Sequence, residues 1–313
     1  MSLSDVFPRM NSPPLVVAMG AAVVLGTPTL PLLSSSAAVL KVANATAFGL
    51  NLLATSVPGR LDDQVMQGKH LKEKGEAKEE DAISRDDRSS LFGHSLLRPA
   101  GWAFAIWGPI FLGETIFAGV PFLENALGSA AALTAALPRV TAPFSAACVL
   151  QSLWCASFRP SYGAGWSKFV STGMLAGTAY SLSRVHAVAC SGGVPSEAAW
   201  CFVPLTLHFG WTTAATLVDF NRKVATRDNA AVVGHVSALV GAAVGVSVTL
   251  LRHAPTYGLT LAWALGAVAN EMGRKRSGDD EREERARWRQ RILCLAGSLA
   301  SVAASLFVAT SSH

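Results

Sequence analysis

Apolar runs of about 20 residues recur along the chain, each bounded by proline, glycine or charged residues. Wound as a helix, a run of that length crosses the ~30 Å hydrocarbon core of a bilayer. Runs at 35–57, 99–117, 141–158, 166–186, 200–220, 232–251, 255–270 and 292–310 predict eight crossings and an all-α, polytopic transmembrane bundle. Residues 15–33 form a further apolar stretch, interrupted by Pro28 and Pro31, for which a leader, a re-entrant piece and an extra span all stay open. Asp5 and the single Arg9 make a poor basic start for a signal peptide. The alanine-rich stretch 128–137 reads as a short interfacial helix, and 273–291 as a charged linker that forms an amphipathic or solvated helix.

Composition agrees with this pattern. Half of the residues are hydrophobic and only 15% are charged, which excludes an ordinary soluble domain. Threading the chain through eight crossings places loops 58–99, 159–168, 220–231 and 273–291 on one side, and 21 of the 26 Lys and Arg residues fall there. The positive-inside rule then points those loops toward cytoplasm, stroma or matrix. The net charge of +5 comes without a basic stripe interleaved with aromatics, so it suits an anionic lipid surface and not nucleic acid. Residues 69–87 mix acids and bases densely, as a solvated segment or a docking surface for another protein. None of the five cysteines forms a CxxC pair, and most sit in apolar runs as small buried residues do; Cys190 and Cys201, flanking one loop, are the pair to test for a disulfide.

The stretch PAGWAFAIWGPIFLGETIF, residues 99–117, carries more than an anchor needs. It holds Trp102 and Trp107, three glycines that allow close backbone approach, Pro109 within the ladder and a lone acid, Glu114. This is the make-up of a pocket wall. Polar residues inside membrane spans are costly and are functional candidates by default; here they are Glu114, Gln151, His208 and His235, with Asn44 and Asn51 on one face of the first span. Two readings of the histidines stay open. His208 or His235 ligates the metal of a tetrapyrrole, with Glu114 a further candidate ligand, or each makes an interhelical hydrogen bond. Trp200 and Trp288, near span ends, fit an interfacial belt. Glycines 173 and 177, and 241 and 245, have the GxxxG spacing of closely packed helices. There is no P-loop, nucleophile elbow, HExxH or paired-carboxylate motif, so the sequence gives no support for an enzyme and none for a metal site of protein ligands alone.

Three fragments, PAGWAFAIWGPIF at 99–111, LQSLWCASF at 150–158 and PLTLHFGWTTAATLVDFN at 204–221, occur in the order of the second, third and fifth helices of the tryptophan-rich sensory protein family, also called TspO/MBR or translocator proteins, and resemble them. NLLATSVPG at 51–59 resembles the end of the first helix in longer members. The resemblance covers roughly 41–221 as a five-helix unit; longer relatives continue with extra apolar helices, as here. The chain thus divides into 1–34, a TspO-like core at 35–221 with the charged loop 60–98, and a three-helix extension at 222–313. Trp102 and Trp107 are five apart, against six in compact members, which fits the longer subgroup. Asp219 falls near a position usually occupied by Asn.

The resemblance implies a pocket between helices for a flat hydrophobic ligand, a tetrapyrrole (porphyrin, haem or chlorophyll) or a sterol-like lipid. Trp102, Phe104, Trp107, Trp154 and Trp211 would line it, with His208 beside them. The expected role is sensor, carrier or scavenger in an organellar membrane, plastid or mitochondrial, as a homodimer or within a larger complex. The alternative is an accessory, structural or pigment-binding subunit of a photosystem or respiratory assembly.

Overall fold

Helices account for nearly all of the described chain in the computed structural model, which describes residues 10–27, 36–56, 94–123, 128–157, 160–192, 194–274 and 281–311. They are α1 (Pro13–Gly26), α2 (Ala37–Ser56), α3 (Trp107–Gly119), α4 (Gly128–Ala156), α5 (Val170–Cys190), α6 (Val203–Val224), α7 (Ala230–Leu251), α8 (Pro255–Met272) and α9 (Glu281–Ser311). There is no strand among the described residues. Six helical stretches, at 37–55, 101–123, 128–156, 196–224, 230–251 and 281–311, are long and apolar enough to cross a membrane. The two other expected crossings, α5 and α8, are continuous helices of lower hydropathy. Several of their polar residues, among them Ser171, Thr178 and Thr260, are buried inside the bundle, where neighbouring helices take the place of lipid. The charged residues 69–87 lie outside the described residues.

Three boundaries differ from the apolar pattern. The expected interfacial helix at 128–137 and the crossing at 141–158 are one helix, α4, with Pro138 and Pro143 inside it. Proline is tolerated in such helices because adjacent elements satisfy the carbonyls it frees. The charged residues 281–291 are the first three turns of α9, which at 31 residues is about 46 Å long and outreaches the hydrocarbon core. The apolar stretch at 15–33 contains α1, whose 14 residues span only about 21 Å. α1 packs on α4 and α5, with Val16 buried against a cluster that includes Leu150, Leu153, Tyr162, Val170 and Met174.

α2 to α6 form one group, in which α4 packs on α2 and α5, and α6 on α3 and α5. α7, α8 and α9 pack tightly on one another. α6 joins the two groups through both α7 and α8, and a continuous core runs from Leu40 and Phe48 through Phe117, Phe144 and Phe202 to Tyr257 and Leu261. Close approach is bought by small residues at two points. A Cβ on Gly113 would enter the Pro204 ring, and one on Gly258 would meet Ser305 and Thr249. Of the two GxxxG pairs, Gly241 and Gly245 face Leu217, Leu261, Leu265 and Ser301, whereas Gly173 faces open space. Among the described residues all five cysteines are free; Cys190 is exposed and the other four are buried.

One set of polar contacts lies at each end of the bundle, as helices of alternating direction require. At one end Ser95 donates to Asn221 Oδ1 (2.6 Å), Asn221 donates to the Val233 carbonyl and to Ser237 (both 3.0 Å), Lys168 donates to the Lys223 carbonyl (3.1 Å), and Gln290 donates to the Gly234 carbonyl (3.1 Å). At the other end Arg252 donates to the Ser183 carbonyl (3.0 Å), near His186 and Cys190. Asn221 is wholly buried and ties the segment before α3 to α6 and α7. Asn221→Leu leaves those partners unmet at about 1–3 kcal/mol each, so its unfolding midpoint in detergent falls well below that of wild type in a thermal melt. Cys190 lies at the end opposite Arg274. In sealed vesicles an impermeant maleimide therefore labels either native Cys190 or the introduced cysteine of Arg274→Cys from the outside, and never both.

Candidate functional site

The stretch that opens the second crossing is not α-helical from its first residue. Residues 95–100 are an irregular strap with Pro99 and Ala100 buried, Gly101–Ile106 is a 3-10 helix, and α3 begins at Trp107. The strap docks on α8. The Ala100 amide donates to the Ala267 carbonyl (3.0 Å), Arg98 pairs with Glu271 (3.3 Å), the Trp102 indole donates to Asn270 (3.2 Å), and the Trp263 indole donates to the Ala103 carbonyl (3.0 Å). Ala100 and Ala103 have no exposed surface; a larger side chain at either would lift the strap off α8.

Between strap, α6, α7 and α8 lies a partly open cavity of about 250 Å³. Phe104, Trp154, Trp211, Leu261, Leu265 and Val268 supply its large walls, and Ala214, Ala215, Gly241 and Ala264 supply its space. Its polar margin is Asp219, Arg222 and Ser237. The Asp219 carboxylate is fully occupied: Ser171 (2.7 Å), Thr172 (2.6 Å), Arg222 (2.8 Å) and Lys223 (2.8 Å) all donate to it, and Lys223 also contacts Ser171. Two cations, Arg222 and Lys223, share this one carboxylate.

The rings of the core stack in layers along the helices. Phe117 meets Phe144 (5.0 Å between centroids) and Phe202 (5.5 Å), with Phe48 on the far side of Phe144. One turn toward the basic end comes a polar layer. His208 Nδ1 lies 2.6 Å from Glu114 Oε1, with both side chains at most 2% exposed, and Asn51 donates to Gln151 (2.8 Å). The next layer is indole: Trp107 stands edge-on to His208 (5.4 Å) and to Trp211 (6.2 Å), and Phe104 edge-on to Trp211 (5.6 Å). Trp107 thus separates the Glu114–His208 pair from the cavity behind Trp211.

Of the residues expected at the pocket, Phe104, Trp154 and Trp211 line this cavity. Trp102 does not; it is 43% exposed and packs edge-on to Trp263 (4.6 Å). Trp107 packs edge-on to Trp211 in the same layer without lining the cavity, and His208 sits one layer deeper. His235 is elsewhere, on the α7–α9 seam, with Nδ1 2.8 Å from Gln290 Oε1. Half of the lining comes from α7, α8 and the end of α6, which the resemblance placed at or beyond the edge of the ligand-binding unit. The signal for it was present as small residues at 214, 215, 241 and 264, but helix-packing faces carry the same signal.

A tetrapyrrole seated in this cavity would find no protein ligand for its metal there, since neither candidate histidine lines the cavity and the Asp219 carboxylate at its margin is already filled. No group of three His, Cys, Asp or Glu suited to a metal ion occurs among the described residues. An apolar plate fits better: an engineered cavity of about 150 Å³ holds one benzene, so 250 Å³ takes two or three fused rings, and the open side leaves room for the remainder to protrude.

Fold and site define an integral membrane protein, an all-helical bundle with an aromatic-lined cavity at the seam of its two helix groups. The chain belongs to the family of TSPO-like proteins, whose model matches residues 82–308. That match begins after α2 and runs through α7 and α8 into α9, so the three C-terminal helices fall within it. No curated protein and no solved structure matches the chain.

Proposed function

We propose that the protein binds a flat hydrophobic ligand without transforming it, as a sensor, carrier or scavenger in an organellar membrane, with its basic loops toward cytoplasm, stroma or matrix. The observation that carries this reading is the cavity: an apolar slot faced by Phe104, Trp154 and Trp211, with Arg222 at its margin. Ring faces and edges suit a planar guest better than a mobile acyl chain, and the polar margin of Asp219, Arg222 and Ser237 suits a polar edge on that guest. Sterol-like lipids and metal-free tetrapyrroles share this description. A narrow sterol plate enters the 250 Å³ slot more completely than a macrocycle, which would insert one edge.

The test is quenching of tryptophan fluorescence by metal-free protoporphyrin, and competition of that quenching by cholesterol, with purified protein in detergent. Saturable quenching is expected, reduced in Trp211→Phe and unchanged in Trp288→Phe, whose indole is exposed on α9. Ala264→Phe fills the slot and is expected to weaken binding at least tenfold. Ala264→Ser, which leaves the space, is expected to bind as wild type does. Absence of saturable quenching removes the ligand-binding reading. Co-migration with a large complex in mild detergent would favour the accessory-subunit role in its place.

A further inference from the structure

The polar layer beneath the cavity contains two buried pairs, and each leaves the same thing undone. In the first, Glu114 Oε1 and His208 Nδ1 satisfy each other at 2.6 Å, while Glu114 Oε2 and His208 Nε2 have no hydrogen-bond partner among the described residues. In the second, Asn51 Nδ2 and Gln151 Oε1 pair at 2.8 Å, while Asn51 Oδ1 and Gln151 Nε2 have none. All four side chains are at most 2% exposed. The two pairs lie on the same side of the phenyl layer: Glu114 is one turn from Phe117 on α3, Gln151 is two turns from Phe144 on α4, and those phenyl rings touch.

Electrostatics fixes what the first pair presents. A buried pair with net charge is expensive in hydrocarbon, and a neutral Nδ1–H donating to a neutral acid makes an ordinary N–H···O bond of about 2.7–3.2 Å, longer than the 2.6 Å contact here, which leaves two proton arrangements. Either a neutral Glu114 donates from Oε1 to Nδ1 and the neutral imidazole carries its proton on Nε2, or an ionised Glu114 accepts from an imidazolium, which has protons on both nitrogens. In both, Nε2 is an N–H donor and Oε2 an acceptor. The amide pair likewise keeps one donor and one acceptor whichever way its two amides are turned. Each pair thus offers a donor beside an acceptor, and an unmet buried polar group costs about 1–3 kcal/mol.

The geometry points to a second site, distinct from the cavity, in which the Glu114–His208 pair binds a neutral hydroxyl-type oxygen. That oxygen accepts from His208 Nε2–H and donates to Glu114 Oε2. Its source is water or the alcohol group of an apolar guest reaching past Trp107, whose ring forms the partition. One consequence is that Nε2 has no lone pair to give a metal, so His208 is a hydrogen-bond donor and not an axial ligand. The site needs no occupant in the cavity and stands whether or not the flat-ligand reading does.

Histidine-selective ¹⁵N labelling of the whole protein in detergent tests this by NMR. His208→Gln identifies the His208 resonances by their loss; if that variant does not fold, Glu114→Gln identifies them by a selective shift. The expected spectrum has a protonated Nε2 whose proton exchanges magnetisation with water. Glu114→Gln, which keeps a neutral donor to Nδ1, retains the Nε2 proton, and Glu114→Leu mixes the two tautomers. Added 2-naphthol moving the Nε2–H resonance where naphthalene does not identifies an alcohol as occupant. No movement with either, and a persistent water cross-peak, identifies water. An unprotonated Nε2, or an Nε2–H with neither a water cross-peak nor a response to 2-naphthol, overturns the proposal.

Discussion

Inside a bilayer an unpaired polar group has no water to turn to, and this constraint fixes how the helices of this chain sit against one another. Apolar contacts alone would leave their register loose, since lipid tails are as apolar as leucine. Asn221 shows how the constraint acts. Its one amide accepts from Ser95 and donates to Val233 and Ser237, so a single buried residue locks the strap, α6 and α7 in place. Arg98 with Glu271 and the Ala100 amide with Ala267 then lay the strap along α8. Moving any of these helices by one turn would leave several polar groups unmet.

The cavity is a by-product of that locking. The strap carries Phe104 to the seam, and α6 presents Trp211, Ala214 and Ala215 to α7 and α8. Where large rings face alanine and glycine across a seam held apart by polar pins, the helices cannot close completely, and space remains. The same pins surround the cavity's margin, where Ser171, Thr172, Arg222 and Lys223 converge on Asp219. A helix group joined only by apolar contact could collapse into the space; this one is braced at the basic end.

Depth in the core also separates kinds of chemistry. A phenyl layer seals the end away from the basic loops, a polar layer follows, and an indole layer borders the cavity. Trp107 belongs to the third layer but touches the second, through the edge contact with His208. Its ring touches both the imidazole of the buried acid–imidazole pair and the Trp211 ring of the cavity wall. Glu114 and His208 come from helices 94 residues apart in sequence, and each stabilises a polar group that the other helix would otherwise bury alone.

Much of the architecture follows from the amino-acid sequence alone, because crossing a bilayer imposes a length and an apolar composition that are visible locally. The runs that became α2, α6 and α7 kept nearly their expected bounds, and Asn44 and Asn51 face the interior as their seven-residue spacing requires. Two joins were not visible. Pro138 and Pro143 look like breaks, and the charges at 281–291 look like a helix separate from the last span, yet α4 and α9 run through them, since neighbouring helices and the interface supply what the local sequence lacks. The site was legible as residue types and not as partners. Nothing in the spacing of Glu114, His208, His235 and Gln290 says which acid or amide each imidazole meets, and nothing in PAGWAFAIW says that Trp102 turns outward to Asn270 while Phe104 turns to the cavity. Hydropathy decides which segments are buried in lipid; only packing, through hydrogen bonds between residues far apart in the chain, decides which polar atoms are satisfied and where space is left.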